Sequence, residues 1–177
     1  MPSPVGHALG GIAAGWYLVP HRNRRAAIVL AAIAVAPDLD LLVGTHREVS
    51  HSVGAAALAG IAVTTAMLVR RAPFRDAARW GAAVAIAWGS HVGLDWLSND
   101  TRPPIGVMAL WPFSHDHYKA AIEIFPPVSR RYWESRFWIY NLRAVVAELL
   151  IVGPVTALVL WGSQRAVRTR PPVRKRR

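Results

Sequence analysis

"RAAIVLAAIAVAPDLDLLVG" (residues 25–44) runs through Thr45 into "HREVSHS" (46–52), followed directly by "VGAAALAGIAVTTAMLV" (53–69). Two apolar stretches of helix length enclose a turn that packs two histidines, an arginine, a glutamate and two serines into seven positions. The 53–69 run nears the ~18 apolar residues of a membrane-spanning helix. The 26–43 run reaches that length only with Asp38 and Asp40 counted in, and Pro37 loosens its end. Ligand-type residues at the junction of two such helices pose the chemical question.

Three further apolar segments follow the same pattern, at 5–19, 80–97 and 142–162. The reading is an all-α, polytopic membrane protein with about five membrane helices and an outer interfacial segment. Residues 1–163 form its single domain, with an outer loop or lid at about 98–141. The remaining residues, 164–177, form a basic tail expected to be disordered and cytoplasmic. Hydrophobic residues make up 53% of the 177, yet the formal net charge is +11. Arg22, Arg24 and Arg25, then Arg70, Arg71, Arg75 and Arg79, then the tail from Arg165 all fall on one side if the segments alternate, opposed there only by Asp76. On the other side acids and bases nearly balance. The positive-inside rule then places the N-terminus outside and the C-terminus in the cytoplasm. The charge is thus a topology signal, with anionic lipid as a secondary partner for the tail and nucleic acid not expected. Trp16, Trp80 and Trp161 fall at inner helix ends, and Trp96, Trp111, Trp133 and Trp138 at outer ends or in the outer loop, as interfacial anchors do. There is no cysteine, which excludes disulfides and thiolate-bound zinc. The N-terminal run lacks the basic start of a signal peptide.

Under this topology four segments bring imidazole or carboxylate to the outer end. His7 comes from the first segment, Asp38 and Asp40 from the second, His46 and His51 from the turn, and His91 and Asp95, four apart on one helix face, from the fourth. An aspartate near the centre of a membrane helix costs on the order of 2.5–3.5 kcal/mol, less toward the interface. No lysine or arginine within those segments offsets three of them. A divalent cation supplies the missing charge, and mixed imidazole–carboxylate ligation suits zinc first, then manganese or iron. Seven such residues exceed one tetrahedral shell, so either two ions bind or some of the seven orient the others. Taken singly each has a plain structural role: "PDLD" ends a helix, His91 packs, and Arg47 pairs with Glu48. Their convergence is what points to metal.

"GHALGGIAA", "PDLD", "HREVSHS", "SHVGLD" and "VMALWPFS" resemble the family of membrane-bound metal-dependent hydrolases, some of them LexA-regulated inner-membrane proteins. The likeness spans roughly residues 5–115, and its most specific part is the histidine–arginine turn ending in Ser/Thr, His, Ser. It implies a functional set of His7, Asp38, Asp40, His46, Arg47, His51, Ser52, His91 and Asp95, at the inner membrane of a bacterial cell. Glu48 stands where many members have glycine, and Ser50 replaces threonine while keeping the hydroxyl. The distant likeness of that family to zinc phospholipases C and P1-type nucleases speaks for a metal site more firmly than for a substrate.

The expected function is hydrolysis at the outer membrane face, on a phosphoester or lipid-linked substrate. Asp38, Asp40, Arg47 and Ser52 are the residues expected to act there. Asp38 or Asp40 would ligate metal or accept a proton, and Arg47 would hold an anionic group. The alternatives are a metal transporter, which needs a polar path that the Ala/Val/Ile/Leu/Gly inner halves do not offer, and a non-catalytic protein fastened by metal. "IGVMALWPFSHDHY" (105–118) is the candidate lid or lipid-facing wall. Arg130 and Arg131 suit headgroup anchoring. Glu148, inside the last segment, is either a functional acid or a hydrogen-bonded packing group.

Overall fold

Helix starts are set by side chains that accept orphan backbone N–H groups. A computed structural model describes residues 1–44, 46–100 and 103–168. Helix α1 (Pro4–Gly15) follows the N-cap Ser3, with proline at its first position, where the missing N–H costs nothing. Helix α2 (Arg24–Val35) starts behind Asn23, whose side chain accepts from the Ala26 N–H at 3.0 Å. Its α-helical winding stops at Val35, because Pro37 has no N–H and crowds the residue before it. The chain tightens into a 3-10 segment, Ala36–Leu42, then a shorter 3-10 turn, Val49–His51. Helix α3 (Val53–Val69) is capped by Ser52, helix α4 is Phe74–Trp96, and helix α5 is Phe137–Arg168.

Helix α4 is the hub, packing on α1, α2 and α3, while α5 lies against α1. Small residues permit the close crossings. A Cβ on Gly11 would come within 2.3 Å of the Ala34 Cβ, and one on Gly81 within 1.8 Å of the Thr64 hydroxyl. Trp16, Val19, Ala26, Leu30, Ala83 and Ala87 form a small apolar core. Among the described residues there is no strand, only isolated bridges at Ser98–Phe125 and Val107–Tyr118 in the outer segment. That segment is sewn to the histidine turn: Met108 N–H donates to Arg47 O at 3.0 Å, and Val53 and Gly54 N–H donate to Ala109 O and Trp111 O at 2.9 and 3.0 Å.

Five helices match the expected number, but the expectation that all five cross a bilayer is cut back. Among the described residues only α5 is long and apolar enough by itself; the stretch 137–165 contains a window of mean hydropathy 2.2. Helices α1 and α2 have 12 residues each, about 18 Å at 1.5 Å per residue, against a hydrocarbon core of ~30 Å. Helix α3 has 17 residues, and α4, with 23, carries Arg75, Asp76, Arg79 and Asp95. The second segment falls short because its last third is the 3-10 turn forced by Pro37. Of the tail, 169–177 lies outside the described residues, and α5 extends through Arg168.

Polarity is inverted relative to a water-soluble globule. His7, His51, His91 and Glu148 are among the largest fully buried side chains, whereas Ile61, Leu142, Leu150 and Leu158 are exposed.

Candidate metal centre

The tight winding at Ala36–Leu42 splits the two aspartates it carries. Asp38 Oδ1 faces inward, 3.6 Å from both His51 Nε2 and His91 Nε2. Helix α4 brings Asp95 one turn after His91, placing Asp95 Oδ2 3.3 Å from His91 Nε2 and 3.4 Å from His51 Nε2. From α1, His7 Nε2 lies 3.4 Å from the other Asp95 oxygen, and its ring stacks on His91 at 3.7 Å between centroids. The side chains of His7, His51, His91 and Asp95 are wholly buried, and only Asp38 keeps an open edge, at 16% exposure.

Within this cluster the inward atoms have no hydrogen-bond partner: both nitrogens of His7, Nε2 of His51 and of His91, Oδ1 of Asp38 and both oxygens of Asp95. Buried orphans of this kind are costly, and such a concentration calls for a ligand. The chemistry fits a divalent cation. Donors each about 2.0–2.2 Å from one zinc ion stand about 3.3–3.6 Å apart in tetrahedral geometry, and the four His–Asp separations among His51, His91, Asp38 and Asp95 fall in that range. His7 adds a fifth donor on the Asp95 side.

The outer nitrogens are fixed from behind. His91 Nδ1 donates to Ala34 O at 2.7 Å, leaving the Nε2 lone pair inward. His51 Nδ1 lies 3.1 Å from Asp40 Oδ2 and 3.0 Å from the Ser50 hydroxyl, which donates to the same oxygen at 2.7 Å. This is the carboxylate–histidine support common behind metal-binding imidazoles. Asp40 also accepts from the Arg47 N–H at 3.2 Å and holds His46 Nδ1 at 2.6 Å. His46 thus sits beside the cluster with both ring nitrogens engaged, Nε2 lying 3.0 Å from the Met1 sulfur. Burial pushes its pKa below the ordinary imidazole value, and the Asp40 hydrogen bond opposes that shift.

Arg47 and Ser52 sit differently from the donors. Arg47, at φ +71°, pairs its Nη1 with the buried Asp100 and donates to Pro104 O at 3.1 Å. Asp100 accepts in turn from the Gly106 N–H at 2.8 Å. In this arrangement Arg47 fastens the outer segment to the turn. Ser52 donates to Val49 O at 2.6 Å and accepts from the Ala55 N–H at 3.0 Å, as the N-cap of α3. His115 and Asp116 are exposed, with Asp116 in a local turn with Ser114.

Three contributors were not singled out in the sequence. Ala34 acts through a backbone carbonyl, which no residue type announces. Trp88, the one mid-segment tryptophan, donates from its indole to Ser50 O at 2.8 Å and steadies the turn. Asp100 had one signal: a buried arginine needs a counter-charge, and Asp100 is the first acid after α4.

No curated protein and no solved structure matches this chain. The family model of the YdjM inner membrane protein matches residues 1–168, and the chain therefore belongs to that inner-membrane family.

Proposed function

We propose that the chain is a membrane-embedded, metal-dependent hydrolase acting at the outer membrane face on a phosphoester carried by a lipid or another amphiphile. The observation that carries this reading is the set of unpartnered buried donors, His51, His91, Asp38 and Asp95, spaced for one cation and joined by His7. Three imidazoles and two carboxylates favour zinc, with manganese or iron as the alternatives, and one or two ions share the five donors with a position left open for water.

When bound, such a cation lowers the pKa of a water and polarises a phosphoryl oxygen. The residues of the chain do the rest. His51 and His91 are held in one orientation by Asp40 and by Ala34 O. Asp38, the donor with an open edge, is the carboxylate placed to take a proton from an attacking water. Asp40 serves as the support behind His51, and Arg47 acts by holding the turn against the outer segment.

Access leads past Asp38, and its neighbours on that turn are apolar: Leu39, Leu42 and Val43 are 61%, 83% and 75% exposed. An apolar lip beside a charged centre suits a substrate with a hydrocarbon part. In this reading all five helices enter the bilayer, the four short or charged ones through tilt and local thinning, with the metal centre outward and the basic tail in the cytoplasm.

Elemental analysis of the protein purified in detergent, with His51→Ala and Asp95→Ala beside it, tests the centre. One or two equivalents of zinc, manganese or iron are expected in the wild type and less in either variant, with both still inserted. Metal retained in both variants would sink the ligand assignment. Chelator-sensitive turnover in a panel of phosphoester and lipid substrates tests the activity; a metal-loaded protein inert across that panel would leave the cation a structural part.

A further inference from the structure

Glu148 is fully buried in α5, the helix long and apolar enough to cross a membrane. Its carboxylate ends at the first turn of α1. Oε1 accepts from the Ser3 N–H at 2.6 Å, and Oε2 accepts from the Gly6 N–H at 3.1 Å and from the Ser3 hydroxyl. Ser3 is the N-cap, its own oxygen lying 3.2 Å from Val5 N. In a capping box, the third residue after the cap is a glutamate that reaches back to the cap's N–H. Here that third residue is Gly6, and a Cβ on it would come within 2.8 Å of Glu148 Oε2. An acid from another helix fills the place that the local side chain leaves empty.

The next residue is His7, whose N–H donates to Ser3 O at 3.2 Å. His51 and His91 have partners that orient their rings, but neither nitrogen of His7 has one. The His7 ring has the stack on His91 and the approach of Asp95 at 3.4 Å, so its aim depends on those contacts and on where its backbone is held. We infer that Glu148 is a positioning residue: by completing a capping box from α5, it fixes the turn carrying His7 and aims that imidazole at the cation site. This rests on the metal-centre reading above. It also accounts for an acid inside the long apolar stretch of α5.

Titration with Co²⁺ in detergent, followed by its visible absorption, tests the inference on wild type, His7→Ala, Glu148→Gln, Ser3→Ala and the His7→Ala/Glu148→Gln double variant. Glutamine turns one acceptor oxygen into a donor facing other donors. Glu148→Gln is expected to weaken Co²⁺ binding by about tenfold to a hundredfold. Its spectrum should shift in the same sense as that of His7→Ala, and the double variant should bind no more weakly than His7→Ala alone. Ser3→Ala, which keeps both backbone donors, should move the same way by less. A Glu148→Gln protein that melts earlier but keeps wild-type affinity and spectrum would reduce Glu148 to a packing group and overturn the inference. Should that variant fail to fold, Ser3→Ala decides: weakened binding with a shifted spectrum supports the positioning role, and wild-type values overturn it. Wild-type protein that takes up no Co²⁺ brings down the metal centre itself, an outcome separate from any difference between variants.

Discussion

Asp38 and Asp40 stand two residues apart on one 3-10 turn, and its tight winding sends them to opposite nitrogens of the same imidazole. Asp38 approaches His51 Nε2, and Asp40 approaches Nδ1. Their substitutions should differ accordingly. Asp38→Asn removes a donor and should abolish tight metal binding. Asp40→Asn removes the charge behind His51 and should weaken binding about tenfold to a hundredfold, as read by competition with a chromophoric chelator. Ser52 lies next to His51 in sequence but caps α3, so Ser52→Ala should cost about 1 kcal/mol in thermal unfolding while metal content stays unchanged. The clustering of His7, Asp38, His51, His91 and Asp95 was legible because each is an imidazole or carboxylate in a segment near one end of the bundle. The division between Asp38 and Asp40 was not, because it depends on local winding that residue type does not encode. The same holds for Ser52, which matches a family pattern yet spends its hydroxyl on the backbone.

At the scale of elements, glycine positions that look alike in sequence have different surroundings. Gly81 faces Thr64 across the α3–α4 crossing, whereas Gly89 and Gly93, on the same helix, have nothing within 4 Å of a built Cβ. Gly81→Ala should destabilise the protein by about 1–3 kcal/mol through overpacking. Gly89→Ala should be neutral or stabilising by up to about 1 kcal/mol, since alanine is the better helix former. Unfolding of the two variants in the same detergent checks the contrast. The helices themselves were readable from apolar runs, but their ends were less so. Helix α2 stops at Val35 and yields the 3-10 turn that the centre needs, while α4 begins at Phe74, well before the apolar run at 80–97. Apolarity reports where a helix can be buried; caps and prolines decide where it starts and stops. The outer segment carried little periodicity, and its place over the turn comes from backbone hydrogen bonds that side-chain patterns do not reveal.

The whole molecule is apolar outside and polar within at one end, which accords with its inner-membrane family. Basic residues after α1, between α3 and α4, and beyond α5 would all lie on one face of a bundle whose helices alternate across the bilayer. A phosphatase or fluorescent reporter fused after the last residue should therefore read cytoplasmic, and one inserted in the 114–117 loop should read periplasmic. The opposite pair of readings would invert the arrangement. Membrane character was legible from composition and charge placement. How many helices cross unaided was not, because the polar ends that build the centre shorten the apolar part of the helices that carry them.

One feature of the cluster governs time as well as affinity. Its side chains are sealed except along the edge of Asp38, on a turn that packs on α2 and α4 through the buried Pro37. An ion held there would exchange with its surroundings past that edge, so opening of the Ala36–Leu42 turn would set its residence time. For the proposed ion, dissociation would then be slow compared with that from an open surface site of equal strength.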